Sequence, residues 1–126
     1  MDASVALAWA LPDESSADAD AVLSEVERKG LRVPELWARE IANGLSVAYL
    51  RKRITSSDER TSPTALSHLI IDVDWDFDAV TVIRDGTGAA MRYGLTAYDT
   101  AYIDLASQEK LPLAALDTAM RKAAEQ

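Results

Sequence analysis

Four acidic residues, far apart in the sequence, stand where a helix usually carries an apolar or a capping residue. Asp99 shares a predicted helix face with Tyr102, because residues three apart lie on the same side of a helix. Glu40 falls in the apolar seam of a second predicted helix, and Asp2 and Asp117 each precede a helix. Burying a carboxylate is costly unless it is paired, hydrogen-bonded or bound to a metal ion. These positions therefore call for a chemical explanation.

Gathered in one pocket, these carboxylates would form a site for a hard divalent cation. Two carboxylates about 4 Å apart repel each other by roughly 4 kcal/mol at an effective dielectric near 20, so a cluster needs protons or cations. Oxygen ligands without histidine or cysteine favour Mg²⁺, with Mn²⁺ as a possible substitute, over zinc. Such a site suits metal-assisted hydrolysis of phosphodiesters.

Each acid also has a simpler structural interpretation. Asp2 and Asp117 could cap helices, Thr96 and Asp99 fit a capping box, and Glu40 could be neutralised by a buried arginine. For any single acid the sequence leaves both interpretations open. The set of four favours the metal site.

The segments around these acids predict helices that alternate with short strands. The predicted helices cover residues 1–11, 15–29, 34–53, 63–71, 77–93, 94–110 and 118–126, and the predicted strands cover residues 31–33, 72–76 and 112–116. This alternation indicates a three-layer α/β/α domain with a short, mostly parallel sheet. Asp117 would then follow a buried strand at the edge where such domains bind ligands.

Composition indicates one domain, spanning residues 1–126, with 48% hydrophobic residues. The absence of cysteine excludes disulfides and thiolate metal sites, and no apolar run approaches the length of a membrane span. We therefore expect a cytoplasmic protein with no membrane association. The net charge of −8 repels nucleic-acid phosphate, so any RNA contact must be local or bridged by a metal ion.

Four segments, in order, resemble the PIN-domain family and most closely its VapC branch, the ribonuclease toxins of toxin–antitoxin pairs. They are residues 2–12 (DASVALAWALP), 33–43 (VPELWAREIAN), 95–102 (LTAYDTAY) and 111–117 (LPLAALD). The resemblance implies that Asp2, Glu40, Asp99 and Asp117 form a catalytic Mg²⁺ pocket, with Ser4 supporting a ligand or a water. It also implies endoribonuclease cleavage of structured RNA such as tRNA, a VapB-type antitoxin as partner, and a homodimer. Arg39, next to Glu40, is our candidate for contacting the substrate.

Three departures from the family pattern favour a second interpretation. Only Met1 precedes Asp2 where the family has an apolar strand, so we expect a truncated first strand. Ala115 stands where the family usually has a threonine or serine, and the final strand of many members is missing. The alternative function is a degenerate, non-catalytic PIN domain that acts as a binding or regulatory partner. Receiver domains and haloacid-dehalogenase-type phosphatases fit less well, because residues 113–118 lack a lysine and Ser4 replaces a second aspartate.

Overall fold

The fold combines helices with two short parallel strands, which confirms the predicted mixed α/β class. The computed structural model describes residues 1–62 and 64–126. Single 3₁₀ turns cover Pro12–Glu14 and Glu59–Thr61. In the described residues the helices are α1 (Ala3–Ala10), α2 (Ala17–Lys29), α3 (Leu36–Leu50), α4 (Ala79–Tyr93), α5 (Ala97–Glu109) and α6 (Thr118–Ala124), and the strands are β1 (Leu31–Pro34) and β2 (Ile71–Asp74).

Local signals in the sequence set where these helices begin and end. Ser16 caps α2 by accepting a hydrogen bond from the Ala19 N–H, and Asp78 caps α4 in the same way. Gly30 ends α2 with a φ of 77°, in the left-handed region that favours glycine. A Cβ at this position would lie 2.9 Å from the carbonyl oxygen of Ile70. Glycine is therefore required where α2 turns into β1.

The two strands run parallel, with Leu31 opposite Ile71 and Val33 opposite Val73. Both strands coincide closely with the extended segments predicted at residues 31–33 and 72–76. Arg32 is opposite Asp72, and its guanidinium lies 2.9 Å from the carboxylate of that aspartate. The sheet is nevertheless smaller than we predicted, because the described residues contribute two strands to it.

The helix predicted at residues 63–71 is wrong for its described part, residues 64–71. This segment forms successive turns, with bonds such as Ser67 N–H to Thr64 C=O and Leu69 N–H to Leu66 C=O, before it enters β2. Pro63 lies outside the described residues. The Ser62 hydroxyl competes for a local hydrogen bond by accepting from the Thr64 N–H, and the Ile70 carbonyl accepts one from Leu31 N–H. Pairing with the sheet therefore prevails over helical periodicity.

The strand predicted at residues 112–116 is also wrong, since this segment is irregular. The Asp2 N–H donates to the Ala114 carbonyl at 2.8 Å, which supplies one rung of a ladder. A cavity of about 820 Å³ separates residues 111–114 from β1, and α2 and α5 also line it. Apolar character alone does not make a strand, because a strand exists only where a neighbour continues the hydrogen bonding.

The core lies where α1, α3, α5 and α6 meet β1. Its largest cluster contains Val33, Trp37, Ile41, Tyr102 and Met120, so the helices that carry the four acids share one core. In residues 1–62 and 64–126, no helix is long and apolar enough to cross a membrane.

Candidate acidic site

The structure brings the four predicted acids to one surface depression of about 640 Å³. Asp2, Glu40, Asp99 and Asp117 all line it. They come from the start of α1, the middle of α3, the start of α5 and the start of α6. Residues as far apart in the sequence as Asp2 and Asp117 therefore meet because their helices pack on one core.

Asp2 is the most buried of the four, with 7% of its surface exposed. It is the N-cap of α1, and its carboxylate accepts hydrogen bonds from the Ser4 N–H at 3.3 Å and from the Ser4 hydroxyl. Ser4 also lines the depression. Ser4 therefore contacts the Asp2 carboxylate within the cap, and its predicted support of a metal ligand stays a prediction.

Glu40 is half-buried, and its partner is a tyrosine rather than the arginine considered from the sequence. The Tyr102 hydroxyl donates to Glu40 Oε2 at 2.5 Å. Burial raises the pKa of Glu40; the Tyr102 hydrogen bond opposes this rise, and the nearby Asp2 and Asp99 carboxylates add to it. Burial and the Glu40 carboxylate together raise the pKa of Tyr102, so its hydroxyl keeps its proton.

Asp99 forms the capping box that the sequence allowed. Its carboxylate accepts hydrogen bonds from the Thr96 hydroxyl at 2.7 Å and the Thr96 N–H at 3.4 Å, and the Asp99 N–H donates to Thr96 Oγ1 at 3.1 Å. Asp99 therefore caps the start of α5 and also lines the depression.

Asp117 is exposed and caps α6 by accepting from the Met120 N–H at 2.8 Å. It follows the irregular segment 112–116 and not a strand, which corrects the predicted position at a strand end. Arg39 is exposed on α3, next to Glu40, and is not among the described residues that line the depression.

Two residues at or beside the site were not predicted from the sequence: Tyr102, which contacts Glu40, and Gly44, which lines the depression. Tyr102 shares the predicted face of Asp99, yet its contact with Glu40 spans 62 positions. Gly44 also lines the depression, and a Cβ there would lie 2.6 Å from Leu7 Cδ1. A glycine inside a helix, four residues after an acid on the apolar face, indicates such close packing and could have identified the α1–α3 contact.

The donor set suits Mg²⁺ or Mn²⁺, since carboxylates and a hydroxyl are hard oxygen ligands. Considering the described ranges 1–62 and 64–126, no three acidic or histidine side chains are placed so that they could hold an ion together. Each carboxylate instead satisfies a nearby donor: Ser4, Tyr102, Thr96 or the N–H of Met120. Ion binding would therefore require some of these carboxylates to move closer together within the depression.

Fold and site together define the class of protein: a mixed α/β domain with an acidic depression at the starts of three helices. No family model matches the chain. The chain is similar to Ribonuclease VapC3 of Pyrobaculum aerophilum, with 29% identity over 93% of this chain and 87% of that protein. The similarity thus extends over nearly the whole of both sequences.

Proposed function

We propose that this chain is a VapC-type toxin of the PIN-domain family, a divalent-cation-dependent endoribonuclease. One observation carries the proposal: four acids from four separate helices line a single depression, in a chain similar along its length to a ribonuclease. Structural caps alone would not need to share a site.

In this proposal Asp2, Glu40, Asp99 and Asp117 hold Mg²⁺, or Mn²⁺ in its place. The ion would polarise the phosphodiester and acidify the attacking water. Ser4 orients the Asp2 carboxylate through its hydroxyl and N–H. The Tyr102 hydroxyl donates a hydrogen bond to one carboxylate oxygen of Glu40, and this bond holds the carboxylate in one orientation.

The charge of the protein bears on its proposed partners. A net charge of −8 disfavours RNA in general, and a bound cation would reverse the local field at the depression. Arg39, exposed beside Glu40, would contact the RNA backbone, for example that of tRNA. The same acidic site suits a basic side chain from the tail of a VapB-type antitoxin, and such a pair would act in the cytoplasm.

A homodimer is also part of the proposal, through the outer face of α4. Val80, Ile83 and Met91 lie at helical spacing on this face and are 70%, 69% and 80% exposed, whereas Ala89 on the other face is buried. A second copy would cover this stripe. Light scattering should then show a dimer that Ile83→Asp separates, while Leu50→Asp, at an exposed apolar position on α3, leaves it intact.

The decisive test is cleavage of structured RNA with and without Mg²⁺. We expect wild-type cleavage to require Mg²⁺ and Asp99→Asn to lose it. Asp104→Asn is the matched control, because Asp104 is on the same helix and outside the residues that line the depression. Equal cleavage by wild type and Asp99→Asn would contradict the proposed site.

The alternative, a non-catalytic PIN domain that acts as a binding partner, is favoured by one observation. The four carboxylates are engaged by local donors, and Ala115 supplies no hydroxyl near Asp117. Thermal denaturation with increasing Mn²⁺ separates the two functions, because an ion that binds the native state raises the melting temperature. An unchanged melting temperature together with no RNA cleavage would favour the alternative.

A further inference from the structure

Tyr102 connects the elements that carry three of the four acids. It lies on α5 one turn after Asp99, and its side chain is buried, with 2% of the residue exposed. Its hydroxyl donates to Glu40 of α3. Its ring lies in the same core cluster as Ala3, which directly follows Asp2. The Tyr102 side chain on α5 thus packs beside the start of α1 and binds Glu40 of α3 through its hydroxyl.

This contact fixes a carboxylate that would otherwise have several orientations. A glutamate has three side-chain torsions, and a hydrogen bond to a charged acceptor is stronger than a neutral one. The bond uses Oε2, while Oε1 accepts no hydrogen bond from the described residues. One carboxylate oxygen is therefore held by the phenol, and the other stays available.

We propose that Tyr102 is a positioning residue, which acts on the site by holding Glu40 in place. This inference rests on the proposed function, since it assumes that Glu40 takes part in binding a divalent cation. Tyr102 itself would not touch the ion or the RNA. Partners that orient a metal ligand in this way typically change metal affinity by about 10- to 100-fold when they are removed.

The test measures Mn²⁺ affinity by calorimetry, without RNA, for wild type, Tyr102→Phe, Glu40→Gln and the double variant. We expect Tyr102→Phe to weaken Mn²⁺ binding by about 10- to 100-fold. In the Glu40→Gln background the same change should alter the affinity by less than about twofold, because the group on which Tyr102 acts has been removed. Phenylalanine keeps the buried ring, and circular dichroism would verify the fold.

Two further variants strengthen the test. Tyr98→Phe is the matched control, because Tyr98 is on the same helix but exposed, and its Mn²⁺ affinity should equal that of wild type. Glu40→Asp keeps the charge but shortens the side chain away from the phenol. It should lose affinity as Tyr102→Phe does, and adding Tyr102→Phe should then have no further effect.

The outcomes separate this inference from the proposed function. If wild type binds Mn²⁺ and Tyr102→Phe binds it equally well, the positioning role is wrong while the metal site stands. An equal loss in the wild-type and Glu40→Gln backgrounds also overturns it, since Tyr102 would then act on something other than Glu40. If wild type does not bind Mn²⁺, both proposals fail.

Discussion

Leu7 of α1 packs directly on the backbone of Gly44 in α3. A Cβ at residue 44 would lie 2.6 Å from Leu7 Cδ1 and 2.7 Å from Leu7 Cδ2, closer than a real Cβ approaches. Asp2 and Ser4 lie at the N-terminal end of α1, the helix that carries Leu7, and Glu40 lies one turn before Gly44 in α3. The close approach of these two helices therefore sets the width of the acidic depression.

Enlarging residue 44 should separate the two helices. We expect Gly44→Val to lower the free energy of unfolding by about 1–3 kcal/mol, the usual cost of overpacking. Urea denaturation would measure this loss. Gly88→Ala is the matched control: it is inside α4 with open space around it, and it should raise stability by about 0.5–1 kcal/mol through helix propensity. A destabilised Gly88→Ala together with an unaffected Gly44→Val would contradict this account of the α1–α3 contact.

Stability should depend on pH through Glu40. Its pKa in the folded protein is raised above the usual 4.5, so folding favours the protonated carboxyl. The stability gained in this way is complete below pH 4.5 and is lost as the pH rises through the folded-state pKa. Glu40→Gln keeps an acceptor for Tyr102 and carries no charge, so it should be more stable than wild type at neutral pH.

Urea denaturation of both proteins at neutral pH and at pH values below 4.5 would check this expectation. The difference in unfolding free energy should shrink toward acid. Asp76→Asn, which removes an exposed negative charge after β2, is the matched control. An advantage of Glu40→Gln that persists unchanged at low pH would show that its cause is not the charge.

The cap and the proposed ligand role of Asp99 can be separated with Thr96. Thr96→Val removes the hydroxyl that accepts from the Asp99 N–H and donates to its carboxylate, so we expect a loss of about 1 kcal/mol in stability. Stabilisation by Mn²⁺ should remain, because the Asp99 carboxylate is still present. Asp99→Asn should abolish that stabilisation.

Thermal denaturation of both variants, with and without Mn²⁺, gives the comparison. Should Thr96→Val lose the Mn²⁺ effect as fully as Asp99→Asn, the effect would depend on the intact helix start rather than on the carboxylate.

A cavity of about 820 Å³ lies beside β1. The Met1 amino group is buried beside it, and this burial lowers the pKa of the amine, with the Asp2 carboxylate opposing the change. A few β-branched residues fused ahead of Met1 would replace the amine by an amide and bury apolar side chains between β1 and residues 111–114. We expect a gain on the order of 1–3 kcal/mol in unfolding free energy, as buried side chains outweigh the entropy of ordering them.

A Gly-Ser extension of equal length is the control, because it removes the terminal charge without adding apolar contacts. Equal unfolding free energies of the two fusions would mean that any gain in stability comes from removing the terminal charge and not from filling the cavity.

The sequence allowed prediction of the elements whose signals are local. The helices carrying Glu40 and Asp99 follow from apolar periodicity, and Thr96 with Asp99 reads directly as a capping box. The grouping of the acids was inferred from the unusual positions they share. The metal role that we assigned to them stays a prediction.

The structural features that the sequence did not predict depend on contacts between residues far apart in the chain. Residues 112–116 have the composition of a buried strand, but a strand needs a ladder, and one bond from Asp2 to Ala114 does not make one. The hydrogen bond from Tyr102 to Glu40 joins two residues that are 62 positions apart in the sequence, and no local pattern indicates which tyrosine contacts which acid.

The cavity beside β1 also has a consequence for how the protein behaves in concentrated solution. β1 pairs with β2 on one side, and the described residues offer it no second strand. A strand edge with unused N–H and C=O groups beside apolar walls is a template for pairing between molecules. Self-association through strand exchange would compete with native folding at high concentration, so the same fusion that fills the cavity should also keep the protein from aggregating.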